Sequence, residues 1–244
     1  MMSKRLVLVM PLLLSFSGYF SSRAFGQSFK PELGVGVNVS TLGVGIQGAV
    51  SVTSHSNIRA GLNAFNFDHS FAKDGIDYNG QLKLRSAQIT YDQFLIGSFH
   101  ISPGVLIYDG NRVNATASVP AGQQFTLGGT NFYSSQASPV SGSGTLSAAK
   151  VAPMILLGFG NLLPRSEKHF GLSFEVGVVY QGSPRANLNL AGSACLISPA
   201  IGCANTATDS TVQTSLLSEQ TKLNNSLTPF KFYPVVSMGF SYKF

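Results

Sequence analysis

The chain has 244 residues, a formal net charge of +6 and a mean hydropathy of +0.20, with 18 Phe, 8 Tyr, 26 Gly and no Trp. Charged residues make up 11%, less than half of the roughly 25% usual in a soluble domain. That balance excludes a disordered chain, which is charge-rich and poor in apolar residues, and a coiled coil, which needs charged heptads.

The first element is an export signal. Lys4 and Arg5 form a positive n-region, and Leu6 to Phe16 form an apolar stretch interrupted only by Pro11 and Ser15. Ala24-Phe25-Gly26 offers small residues at the −3 and −1 positions, so cleavage is expected after Gly26, leaving residues 27–244 as the mature chain. Cleavage removes Lys4, Arg5 and Arg23 and no acid, so the net charge falls from +6 to +3. No basic stripe remains to suggest a nucleic-acid partner. After residue 20 no run of 18 uninterrupted apolar residues occurs, so no transmembrane helix is expected.

The mature chain then alternates in twos. Leu33, Val35, Val37 and Val39 alternate with Gly34, Gly36, Asn38 and Ser40. Val44, Ile46, Val50 and Val52 alternate with small and polar residues, as do Ile58, Ala60, Leu62 and Ala64. In the next segment Leu82 and Leu84 share one face while Ala87, Ile89 and Tyr91 fall on the other. A bulge near Ser86 would restore its register; alternatively, Lys83 and Arg85 lie above a membrane. Phe99, Ile101, Val105 and Ile107 continue the pattern, as do Val151, Ile155, Leu157 and Phe159. The clearest run is Phe170 to Tyr180, apolar along one face and aromatic at both ends, with Gly171, Ser173, Glu175 and Gly177 on the other. Alternate residues of a strand face opposite sides, and lipid-out, polar-in alternation with aromatic ends is the pattern of a membrane-spanning strand.

The last segment, Val236 to Phe244, places Val236, Met238, Phe240, Tyr242 and Phe244 on one face. Its Ser237, Gly239, Tyr242 and terminal Phe244 resemble the β-signal of bacterial outer-membrane proteins. The whole chain resembles, in pattern, small outer-membrane barrels of the OmpA/OmpX/OmpW type, without a periplasmic domain. The resemblance implies an all-β, antiparallel up-and-down transmembrane β-barrel in the bacterial outer membrane. It also implies reading of the last strand by the barrel-assembly machinery, delivery by periplasmic chaperones, and contact with outer-membrane lipid and lipopolysaccharide.

Eight segments are counted, at 31–40, 43–53, 57–67, 78–92, 98–109, 148–160, 169–181 and 232–244, with ten or twelve as the alternative; loop 110–147 could hide a hairpin, with Asn111 to Val119 and Gln124 to Tyr133 extending above the membrane. Short inside turns are expected at 54–56, 93–97 and 161–168, and outside loops at 41–42, 68–77, 110–147 and 182–231. Pro103 and Pro153 sit inside proposed strands and imply local bulges or unpaired sites. In the last loop Cys195 and Cys203 read as a disulfide. Ser210 with Gln213 resembles a capping box opening a short helix over 210–226.

On this parity Arg59, His100, Lys150, Glu175 and Lys231 point into the barrel, with Lys243 near its end. A buried acid needs a cation, and Arg59, Lys150 or Lys231 would partner Glu175. The four His have no metal spacing, there is no nucleophile elbow, and no cofactor is expected. The chain therefore reads as a non-enzymatic structural or surface-interaction barrel whose lumen is filled by side chains. The alternatives are a narrow channel or small hydrophobic-solute porter, and a barrel enzyme acting on lipid or peptide.

Overall fold

The strict alternation of apolar with small or polar residues dictates strands that are wetted or packed differently on their two faces. In the computed structural model such strands dominate. It describes residues 30–73, 75–108, 112–165 and 168–244; the export signal expected over 1–26 lies outside them. The elements are β1 (Leu33–Ser40), β2 (Gly43–Thr53), β3 (Ser56–Lys73), β4 (Ile76–Ile96), β5 (Phe99–Tyr108), β6 (Arg112–Ser118), β7 (Gln124–Leu127), β8 (Thr130–Ser134), β9 (Ser141–Ser147), β10 (Val151–Gly160), β11 (Phe170–Tyr180), β12 (Arg185–Ala191), β13 (Ser193–Ser198), β14 (Ile201–Asn205), α1 (Ser210–Leu227) and β15 (Phe232–Lys243).

Eight of these close into an antiparallel ring in the order β1-β2-β3-β4-β5-β10-β11-β15, with β15 pairing back onto β1. They are the eight segments that the alternation marks. Closure pairs every strand edge, which a bilayer requires because lipid offers no hydrogen bonds. The outer surface is apolar: Val35, Val37, Ile46, Leu62, Ile89, Ile155, Leu157, Leu172, Val176 and Met238 all stand exposed. Paired rings edge this band. Phe99–Phe159, Phe170–Phe240 and Tyr242–Phe244 lie at the turn end, where the barrel's short turns are. Tyr180–Phe232 lies at the opposite, loop end.

The bulge expected near Ser86 is absent, and the two prolines inside strands bring the unpaired sites rather than bulges. The β3–β4 register runs unbroken from Ser56 opposite Gln93 to Lys73 opposite Ile76, so nothing is inserted at Ser86. Leu82 and Leu84 simply stay on the lumen-side parity of Ser86, above the barrel. Between β5 and β10 the register is continuous through Pro103 (opposite Ile155) and Pro153 (opposite Val105). The missing N–H groups fall where pairing lapses instead. The β4–β5 pairs stop at Thr90–Gly104 and resume at Gln93–Ile101, and β10 pairs with β11 only from Met154 onward.

Above the barrel β3 and β4 continue as a tall hairpin. The upper half of β4 leaves β5 and pairs with β6, which carries β9 and then β12. Loop 110–147 thus adds strands to an extension sheet and not to the ring. A second sheet, β14-β13-β8-β7, and α1 pack against it. They share an apolar core of Val119, Phe125, Leu127, Phe132, Val140, Ala194, Val212 and Leu216. The N-cap of α1 is Asp209, one residue before the expected Ser210; its carboxylate accepts from the Thr211 and Val212 N–H groups. Gln213 reaches the Thr206 carbonyl, 2.6 Å away, rather than closing a capping box. The open edge of β12 is covered by the helix: the Ala186 and Leu188 N–H groups donate to Asn224 and Gln220 side chains. Covering an edge this way prevents it from recruiting another strand. Cys195 and Cys203 are joined by a disulfide across β13 and β14.

Candidate functional site

The lumen is where the barrel gathers its ionisable groups. Arg59 projects from β3, Asp92 and Thr90 from β4, His100 from β5, Glu175 from β11 and Gln47 from β2. The Arg59 guanidinium donates to both Glu175 oxygens, with Nη1 2.8 Å from Oε2 and Nη2 on Oε1. Its Nη2 also donates to Asp92 Oδ1 at 3.0 Å, its Nη1 to Gln47 at 3.3 Å and its Nε to the Thr90 hydroxyl at 3.3 Å. Thr90 in turn donates to Asp92 at 3.1 Å. His100 Nε2 lies 3.1 Å from Glu175 Oε1. Arg59 is 2% exposed and Glu175 3%, so the planar fork of the guanidinium spends its donors on partners inside the protein.

A glycine makes room for this cluster. Gly158 faces the lumen opposite Glu175 and His100 in the register. A Cβ there would collide with His100 Nε2 and lie 2.8 Å from Glu175 Cγ.

Apolar layers lie on either side of the charges. Toward the loop end, Leu42, Leu106, Ala152, Met154, Leu156, Val179 and Val235 form a buried cluster with Tyr108 and Tyr233 packed on it. Toward the turn end, the segment after β10 folds inward. Leu162 and Leu163 bury against Ala49, and Asn57 donates to Asn161 at 2.9 Å. A side chain at Gly34 would meet Leu163 Cδ2 at 2.6 Å, which is why that inward position is empty. Arg165 donates to the Ser54 carbonyl and sits 4.3 Å over the Phe94 ring, which itself meets His100 at a tilt, 5.0 Å between ring centres.

Of the five expected lumen residues, three meet: Arg59, His100 and Glu175. Lys150 and Lys231 do not. Both are exposed at the loop end, because each precedes the strand it was assigned to and lies beyond the ring's rim. Lys243 pairs with Glu32 at 3.1 Å at the turn end. Asp92, Gln47 and Thr90 join Arg59, His100 and Glu175 beyond the expected set; the outward facing of Ile89 and Tyr91 already turns Thr90 and Asp92 inward, but Asp92 is the last residue of the expected segment 78–92. Of the assembly-signal residues, Ser237 sits opposite Ser40 and Glu175, Gly239 opposite Asn38 and Ser173, and Tyr242 opposite Val35 and Phe170. Phe244 donates its N–H to the Leu33 carbonyl at 3.0 Å. Among the described residues no group of three His, Cys, Asp or Glu is placed to hold a metal ion.

The fold as a whole has solved counterparts. The chain superposes on a crystal structure of Acinetobacter baumannii CarO with a TM-score of 0.54 at 21% identity, covering 86% of this chain and 97% of that one. The A. baumannii CarO2 crystal structure gives a TM-score of 0.56 at 20% identity, covering 87% and 98%. This chain has the fold of CarO. That fold is a small outer-membrane β-barrel, and the likeness to CarO extends over nearly the whole of the solved chains. No family model matches the sequence, and no curated protein does.

Proposed function

We propose that this chain is an integral protein of the bacterial outer membrane whose lumen is plugged by its own side chains and whose work is done by the loop-end domain at the cell surface. One observation carries the reading: Arg59 bridges the lumen to Glu175 and Asp92, with a buried apolar layer stacked above it. An eight-stranded interior is just wide enough for side chains to fill, and separating a buried, paired charge costs several kcal/mol. The apolar outer band meets lipid and lipopolysaccharide acyl chains, and the terminal strand is the part read by the assembly machinery after chaperone delivery. No catalytic role is assigned: His100 is 2% exposed and bonded inside the barrel, away from any lipid or peptide substrate.

Conductance tests the reading. Refolded residues 27–244, with folding verified by a gel-mobility shift, should leave a planar bilayer silent. Discrete and reproducible steps from the unaltered protein would overturn the plug. A second reading, a narrow channel, draws on the polar character of the belt, since a purely structural filling has no need of four ionisable groups. On that reading the unaltered protein conducts and Glu175→Ala changes the conductance.

A further inference from the structure

A cavity of about 630 Å³ lies at the loop-end mouth, between the ring and the extension sheet. Leu82 and Leu84 of β4 and Leu146 of β9 wall one side, and Leu42, Tyr108 and Tyr233 lie at its base. The two tyrosines pack on the apolar layer of the lumen, so this is a pocket with a floor. Its size and lining match small-molecule sites, which occupy roughly 300–1,000 Å³, are mostly apolar and carry a few placed polar groups.

Among the described residues that line it, the one charged side chain is Lys150, and the other polar groups, such as Asn114, Thr145, Ser147 and Gln181, are neutral. Three backbone hydrogen bonds draw the rim together: Tyr108 N to Lys150 O at 2.7 Å, Ala149 N to Gln181 O at 3.2 Å, and Gln181 N to Lys231 O at 3.0 Å. They bring Lys150 and Lys231 to the same rim on either side of Gln181, with Arg185 directly after the lining residue Pro184. Lys150 and Gln181 line the cavity, and no Asp or Glu does. The Tyr108 hydroxyl is buried without a hydrogen-bond partner, while that of Tyr233 donates to the Thr41 carbonyl at 2.6 Å. A buried donor without an acceptor is costly, and an acceptor brought in by a ligand would relieve it.

We propose that this mouth cavity binds a small anionic amphiphile, a carboxylate carrying a short alkyl or aryl body. The body lies against Leu42, Leu82, Leu84 and Leu146. The carboxylate meets the Lys150 ammonium, the Gln181 amide and the Tyr108 hydroxyl. The walls belong to the mouth and not to the charged belt, so binding and conductance are read independently.

The test uses refolded residues 27–244 in lipid nanodiscs, avoiding detergent that would compete for the cavity. Octanoate, octanol and octyltrimethylammonium are titrated calorimetrically against these discs and against empty ones. Octanoate should bind saturably, one per barrel, above the empty-disc background, and the cation should not. Lys150→Glu alters an exposed loop residue; it should weaken octanoate about tenfold or more, the loss expected for one charge-assisted contact, and spare octanol. Tyr108→Phe keeps the ring and should weaken octanoate several-fold. Octanoate heats equal to those of empty discs would overturn the proposal. So would equal binding of the cation, or an octanoate affinity unchanged in Lys150→Glu.

Discussion

At the scale of single residues the belt is asymmetric. Arg59 is the hub, holding two carboxylates and two neutral acceptors, whereas Glu175 holds Arg59 and His100. Removing the hub leaves Glu175 and Asp92 buried together without their guanidinium, so Arg59→Met should destabilise the barrel by about 3–5 kcal/mol, the usual cost of stranding a buried charge. Glu175→Gln leaves Arg59 paired with Asp92 and keeps a side chain of the same shape; its cost should be nearer 1–3 kcal/mol. Urea titration of the refolded variants, followed by loss of the folded gel mobility, reads the order. Equal midpoints for the two variants would show that the guanidinium is not the hub.

At the scale of elements the loop-end domain stands on its own core. Its disulfide closes a short loop, with a sequence separation of 8, for which chain-entropy arguments give about 2.5 kcal/mol. Replacing Cys195 and Cys203 by Ser should therefore expose the β13–β14 hairpin to limited proteolysis while the barrel keeps its heat-modifiable mobility. Loss of the barrel in that variant would show that the two parts fold as one. The barrel strands were legible because lipid and lumen impose opposite demands on alternate residues. The extension was legible only in part: strands over 111–119 and 124–133 above the membrane are found as β6, β7 and β8, but the tall β3–β4 hairpin, β9 and β12 were not, for a reason visible in β3. Its outward apolar residues sit at Ile58 and Leu62, then the apolar set switches parity to Phe65, Phe67 and Phe71. Above the lipid band no apolar face is required outside, and Phe67 and Phe71 form a stacked row with His69 and Tyr78. The strand β9, Ser141 to Ser147, carries Gly and Ser where a lipid-facing strand carries Val, and it is placed only by partners far along the chain. In the lumen, parity reached Arg59, His100 and Glu175 but overran the strand ends at Lys150 and Lys231, since alternation says which side a residue faces and not where the rim lies.

At the scale of the whole molecule the ring exists only when β15 closes it, pairing with β1 on one side and β11 on the other. The terminal residue adds little to that closure energetically. Phe244 is 72% exposed, its ring meets that of Tyr242 edge-on at 5.3 Å, and its backbone N–H donates to the Leu33 carbonyl. On packing alone, deleting Phe244 should cost about 1 kcal/mol, and the truncated chain should refold into detergent micelles nearly as well as the full one. If the assembly machinery reads the terminal aromatic, the same deletion should sharply reduce heat-modifiable barrel in cells. The two readouts separate recognition from stability: a parallel fall in both assigns Phe244 a structural role, and normal levels in cells would remove it from the assembly signal. Tyr242→Ala is the contrasting case. Its ring stacks with His169 at 5.7 Å and meets Phe170 at 5.3 Å, so it should lower the refolding yield in micelles as well as the level in cells.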